Sequence, residues 1–174
     1  MNITDLEKLL LAQGVVTLFA VIAAYVKIRQ DFRQYARQQL FSIRLERLRR
    51  QLSEFYGPIH MLAVANERIA KVAWGTDMWD RVWRQILIPT QLKIEEILLT
   101  KIELLDDEAI PDSFLAFMTH ARVARSYVET GPGFEYFEKG VHYPVEFNRD
   151  VASAYETIRN RYNEALGQVR RDAV

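Results

Sequence analysis

The polar side chains best spaced for chemistry are His60, Asn66, Glu67 and Arg68. His60 and Glu67 are seven residues apart, so on a helix both face one side, two turns from each other. Such a pair does general acid/base work when a third group and a cleft complete it. The sequence shows neither, so the expectation is structural: Glu67 pairs with a base and His60 bonds a backbone carbonyl. A second cluster, His120, Arg122 and Arg125, is expected to form a solvated ion-pair face against Glu103 or Asp106 to Glu108 rather than an anion site. The histidines, His60, His120 and His142, make no His-x-x-x-His or Glu-x-x-His pair, so no helix presents two metal ligands on one face. The chain has no Cys, which excludes disulfides, thiolate nucleophiles and Cys-based zinc sites. Gly131-Pro132-Gly133 lacks the length and the Lys of a phosphate loop, and there is no Gly-x-Ser-x-Gly elbow. The expectation is no enzyme activity, no cofactor and no metal.

Two aromatic groups stand out. Trp74, Trp79 and Trp83 lie within ten residues, and Trp79 and Trp83 share a helix face. Their default place is the core, which they would dominate. The stretch FEYFEKGVHYP places Phe134, Tyr136, Phe137 and Tyr143 where helical periodicity is lost. These four cover the end of a bundle or offer anchors to a partner. Trp79, Trp83, Phe134, Tyr136, Phe137 and Tyr143 are the candidate partner surface.

The elements that carry these groups are helices. Only seven Gly and five Pro in 174 residues argue against an all-β chain. Leu9 to Val26 reads LLLAQGVVTLFAVIAAYV, uncharged, with Gln13 the one strongly polar residue. At about 1.5 Å per residue it rises roughly 27 Å, close to a hydrocarbon core of about 30 Å. A cleaved signal peptide fits less well, because the leader carries Asp5 and Glu7 against one Lys. A buried core helix would need a larger domain around it. Lys27, Arg29, Arg33 and Arg37 follow the span and only Lys8 precedes it, which predicts an outside N-terminus and a cytoplasmic domain. With Tyr25 at the interface, these four bases are the candidate lipid contacts. Gln13, Gly14, Thr17, Ala20 and Ala24 form a candidate helix–helix interface of small and polar residues.

Zero net charge hides a division. Residues 27–50 hold eight basic and two acidic residues, a net of +6, and residues 51–174 hold fourteen basic and nineteen acidic, a net of −5. The expected domains are an anchor at 1–27, a basic neck at 28–50 and a helical bundle at 51–174. In the neck, Phe41, Leu45, Leu48, Leu52 and Phe55 are spaced as a coiled-coil seam over two heptads. So short a seam is read as a helix docking on its own domain, with a free coiled coil as the alternative. Gly57-Pro58 is predicted to end this helix and Pro89 to interrupt a later one, with Gly75 as a C-cap and Thr76 or Asp77 as an N-cap. Further helices are expected from Gln91 to Leu105, with Ile94, Ile97, Leu98 and Ile102 on one face, from Asp112 or Ser113 to about Glu129, and from Pro144 to about Val169.

Leu52-Ser-Glu-Phe55-Tyr56-Gly57-Pro58, Ile97-Leu-Leu-Thr-Lys101, Ile110-Pro-Asp-Ser-Phe114-Leu and Tyr143-Pro144 follow one another in an order that resembles a group of bacterial membrane-anchored helical proteins with an FYGP turn after the anchor. The likeness spans most of positions 45 to 165. It implies an all-α fold at the bacterial inner membrane. That group has no assigned activity, so the resemblance implies no site residue.

The function expected from the sequence is a membrane-tethered interaction or scaffold module. The alternatives are an oligomeric membrane effector or channel component with a sensing head, and a small-molecule or lipid binder. Expected partners are membrane lipid and another protein or a second copy of the chain. Nucleic acid is not expected, because the basic block abuts the membrane and the head is acidic, and a small-molecule ligand is disfavoured.

Overall fold

The fold is all-α: among the described residues there is no strand. The computed structural model describes the backbone of residues 3–106, 109–130 and 142–172, and the side chains of these except 3–17, 20, 127, 130, 170 and 172. The aromatic positions Phe134, Tyr136 and Phe137 lie outside the described residues, as do the side chains of Gln13, Gly14, Thr17 and Ala20. The chain divides into two compact units, Met1–Arg44 and Leu45–Val174.

Helix α1 runs Ile3–Arg50. In the first unit the whole of 21–30 is exposed, including Val21, Ile22, Tyr25, Val26 and Ile28. Ala24, Lys27, Arg29, Arg33 and Arg37 are exposed as well. No helix among the described residues is long and apolar enough to cross a membrane. Of the stretch Leu9–Val26, the side chains of 9–17 and 20 fall outside that description.

The second unit opens with a departure from expectation. Gly57-Pro58 does not end the helix. A π-turn at Gln51–Tyr56 joins α1 directly to α2 (Gly57–Ala73), and the N–H of Gly57 bonds to the carbonyl of Leu52, five residues back. Pro89 does not interrupt either: α3 (Trp79–Val82) passes through a second π-turn at Trp83–Leu87 into α4 (Ile88–Thr100). In both cases the proline is the second residue after the π-turn. Proline lacks the N–H that an α-helix would use, and the wider turn lets the chain continue across that gap. The pre-proline restriction is met at one site by Gly57, which has no Cβ, and overridden at the other by Ile88, which sits in the right-handed helical region and is buried.

Gly75 does close α2. It has φ 74°, and Thr76 returns its Oγ1 to the Ala73 carbonyl at 2.7 Å. Neither Thr76 nor Asp77 caps the next helix, whose N-cap position is Met78 with no side-chain bond. Helix α4 stops at Thr100, short of the expected Leu105, and a 3₁₀ turn follows at Ile102–Leu104. Ile102 is accordingly exposed while Ile94 and Leu98 are buried. Helices α5 (Asp112–Thr130) and α6 (Val145–Asp172) complete the unit.

The core gathers one stripe from each element: Leu48, Phe55, Tyr56 and Ile59; Ile94 and Leu98; Phe114, Phe117 and Ala121; Phe147, Val151 and Ile158. Phe117 stacks on Phe147 with centroids 4.0 Å apart, and Phe114 meets the same ring edge-on at 5.3 Å. From Leu48 onward the neck seam is therefore part of this core, so that portion docks on its own domain as the spacing suggested. Gln51 is buried beside it and donates from Nε2 to the Leu104 carbonyl at 2.9 Å, pinning the 3₁₀ turn. Of the arginines late in the neck, Arg50 reaches Glu54 at 3.2 Å and Glu103 at 3.6 Å, and Arg47 donates to the Leu105 carbonyl at 3.4 Å. Asp106 is held by Arg161.

Candidate functional site

Within the second unit, α2, the α3–α4 segment, α5 and the start of α6 enclose a cleft of about 1020 Å³. Three tryptophans line it. Trp74, exposed, leans edge-on against half-buried Trp79 at 4.8 Å, and Trp83 stands one turn further along. The main core is built without them, while Trp79 and Trp83 pack on a smaller apolar cluster of Ala73, Val82 and Leu87, close to their default placement. Leu87, Ala63, Val64 and Ala70 complete the apolar wall.

Two buried amides form the polar part of this lining. Asn66 is 5% exposed, and its Nδ2 donates to the Leu87 carbonyl at 3.5 Å. That contact fixes which end of the amide faces which way, and Oδ1 is left with no partner among the described residues. Gln91, also 5% exposed and one turn beyond Leu87, has an Oε1 in the same condition. Buried polar atoms in native structures are almost always paired, so two orphans in one cleft call for an explanation.

The rim is charged but self-paired. Lys71 Nζ lies 2.5 Å from Glu67 Oε1, and Asn148 Nδ2 donates to Glu67 Oε2 at 3.4 Å. The Lys71 hydrogen bond holds the Glu67 carboxyl below the usual carboxylate range. Tyr143 donates its hydroxyl to Asn148 Oδ1 at 2.5 Å, and burial pushes that phenol well above its ordinary pKa. Tyr143 therefore remains a neutral donor, and the Tyr143–Asn148–Glu67–Lys71 chain braces α2 against the start of α6. Arg84 binds Asp80 at 3.0 Å, and Arg149 binds Asp150 at 3.3 Å.

His60 and Glu67 do share a side, and both line the cleft. His60 stacks on Tyr155 at 4.9 Å with an 11° interplanar angle. His120 and His142 line the same cleft, so all three histidines border one space that sequence spacing did not foretell. Among the described residues no three His, Asp or Glu side chains stand where they could hold a metal ion. His120 is buried and meets the Tyr143 ring edge-on at 5.4 Å. Its companions Arg122 and Arg125 pair neither with Glu103 nor with Asp106. They bind Glu95, 3% exposed, at 2.8 and 3.6 Å. A carboxylate buried on α4 needs these cations more than a solvated one does, and the two arginines stand one turn apart on α5 to meet it.

Of the candidate partner surface, Trp79, Trp83 and Tyr143 are brought to the cleft. The depth of Asn66, Gln91 and Glu95 escaped sequence reasoning, because polar residues on amphipathic helices default to the solvent face. No protein-family model, curated protein or solved structure matches this chain.

Proposed function

We propose that the chain is a membrane-tethered recognition module of the bacterial inner membrane: the first part of α1 anchors it, and the helical unit 45–174 presents its cleft on the cytoplasmic side. The observation that carries this reading is the exposed apolar run on α1. Leu18, Phe19, Val21, Ile22, Tyr25 and Val26 are all exposed. Removing one such side chain from water is worth about 1.5–3 kcal/mol, so a run of them in one short stretch needs lipid or another helix around it. Lys27, Arg29, Arg33 and Arg37 then begin at the end of the uncharged stretch, where bases hold the cytoplasmic side. The cleft supports recognition rather than bare scaffolding, since a scaffold has no use for orphaned buried amides beside three tryptophans.

The test is a pair of reporter fusions after Val174, one active only in the cytoplasm and one only in the periplasm, together with alkaline extraction of membranes. The cytoplasmic reporter should be active and the chain should resist extraction. Deleting residues 1–27 should release it. An active periplasmic reporter, or a full chain washed off by alkali, refutes the anchor and its direction.

A further inference from the structure

We propose that the cleft between α2, the α3–α4 segment and α6 binds a neutral small molecule with a flat apolar body and a carboxamide-type edge that offers both N–H and C=O. This goes beyond the anchoring reading and does not depend on it. The size fits: about 1020 Å³ is at the upper end of the range for small-molecule sites, and an apolar lining with a few fixed polar groups is their usual make-up.

Charge decides against an ionic ligand. The rim holds Glu67 and Asp80 against Lys71 and Arg149, and each has a partner of its own: Lys71 with Glu67, Arg84 with Asp80, Asp150 with Arg149. These rim charges already stand beside a partner of opposite sign, so they offer an entering anion or cation no unopposed counter-charge. The amides ask for something else. Asn66 Oδ1 is an acceptor, because its Nδ2 is already committed to Leu87. It wants an N–H or O–H. Among the described residues Gln91 has no hydrogen-bond partner and its buried Oε1 is unpaired, so it turns to present whichever group the ligand lacks. One fixed acceptor and one adaptable amide in the same lining match a group that donates and accepts along a single edge, as a primary amide or a lactam does with its N–H and C=O cis. Trp79 supplies a flat wall, and ring-on-ring contact with it accepts a planar body without demanding a particular charge.

The chain carries its own probe. Its three tryptophans, Trp74, Trp79 and Trp83, all line this cleft, so intrinsic tryptophan emission reports occupancy of this site. The experiment titrates the full-length chain in phosphatidylcholine nanodiscs with isoindolin-1-one, a flat lactam, and with phthalide, the matching lactone. The two differ by an ester oxygen in place of the amide N–H. Both should act at fragment affinities, about millimolar, and the amide should bind about five- to tenfold more tightly than the ester, as one buried N–H···O bond warrants. Asn66→Leu should reduce that ratio to near one while leaving ester binding in place. Gln91→Leu removes the partner of the carbonyl that both probes share, so it should weaken amide and ester alike; it is the variant to read if Asn66→Leu fails to fold, which a melting curve reveals, and unchanged binding of both probes in it overturns the proposal. Equal affinity of amide and ester in the unaltered chain makes the cleft a plain apolar slot, of the kind an acyl chain fills, and overturns the proposal. So does the absence of any emission change with either probe up to about 10 mM, beyond which fragment binding is not specific.

Discussion

Gly57→Ala sets two physical effects against each other, and the structure says which wins. Helix propensity alone favours alanine by about 1 kcal/mol in a helix interior. Gly57 has φ −62° and ψ −55°, so nothing in its backbone angles forbids a side chain. The obstacle is the π-turn. A Cβ built at residue 57 would stand 2.2 Å from the Leu52 carbonyl oxygen and 3.4 Å from its carbon. An oxygen and a methyl group need about 1 Å more, and the oxygen is backbone, held by the Gly57 N–H itself. Making room means opening that bond or displacing a turn whose Phe55 and Tyr56 are fully buried in the core. Overpacking of this sort costs about 1–3 kcal/mol. A clash with a fixed backbone oxygen takes the upper part of that range, about 2–3 kcal/mol, so after the propensity gain is subtracted the variant should be less stable by about 1–2 kcal/mol, a fall of roughly 3–10 °C in melting temperature for a unit of this size. Thermal unfolding of the full-length chain, followed by tryptophan emission and by far-ultraviolet circular dichroism, measures it. A variant that melts at or above the parent temperature would show that the turn has α geometry, and the argument from Leu52 would fail.

Leu48→Asp places a carboxylate at a core position that is 6% exposed, with no cation given to it there, and should lower stability by several kcal/mol; an unchanged melting temperature would put the seam at the surface. Acid should destabilise the second unit through two carboxylates. Lys101 and then Arg50, by their hydrogen bonds, hold Glu54 below its ordinary value of 4.5, and Lys71 does the same for Glu67. A depressed folded-state pKa gives stability that is present above the unfolded value and lost as pH falls through the folded one. The melting temperature should therefore decline below about pH 4.5, and the Glu54→Gln/Glu67→Gln variant should decline less steeply. A variant with the same acid slope as the parent removes these pairs from the account.

How much of this was legible beforehand varies with the kind of signal. Core-facing apolar stripes at helical spacing were readable: Ile94, Ile97 and Leu98 on α4, and Leu48, Leu52 and Phe55 of the neck seam, lie where periodicity put them. Gly75 was readable because a left-handed residue at a helix end has few alternatives to glycine. The two prolines misled. A proline is a stop signal only if the chain must stay α-helical, and a π-turn changes what the carbonyl one turn back requires. Glu95 was not singled out. It shares the buried face of α4 with Gln91, Ile94 and Leu98 while Glu96 is exposed, and the cations that make its burial tolerable, Arg122 and Arg125, come from another helix.

The cleft was hidden for a geometrical reason that the second π-turn explains. Trp79, Trp83, Leu87 and Gln91 line it, each four residues after the last. At 3.6 residues per turn, a step of four overshoots a full turn by about 40°, so three such steps would carry Gln91 about 120° around a regular helix from Trp79. On that geometry the four do not share a face: Gln91 follows the buried side of α4 with Ile88, Ile94 and Leu98, and away from Trp79. The π-turn at Trp83–Leu87 winds less per residue, so the middle step falls short of a full turn and takes back part of the drift. One row then runs from the tryptophans through Leu87 to Gln91. The same Leu87 offers its carbonyl to Asn66 on α2, so the turn that realigns the row also fixes the second amide. π-turns persist mainly where function retains them, because regular α geometry is the more stable default. Here the irregularity does three things in five residues: it carries the helix past Pro89, aligns an aromatic wall with a buried amide, and orients Asn66 opposite. The cleft is a consequence of how the chain crosses a proline, which is why no motif in the sequence announces it.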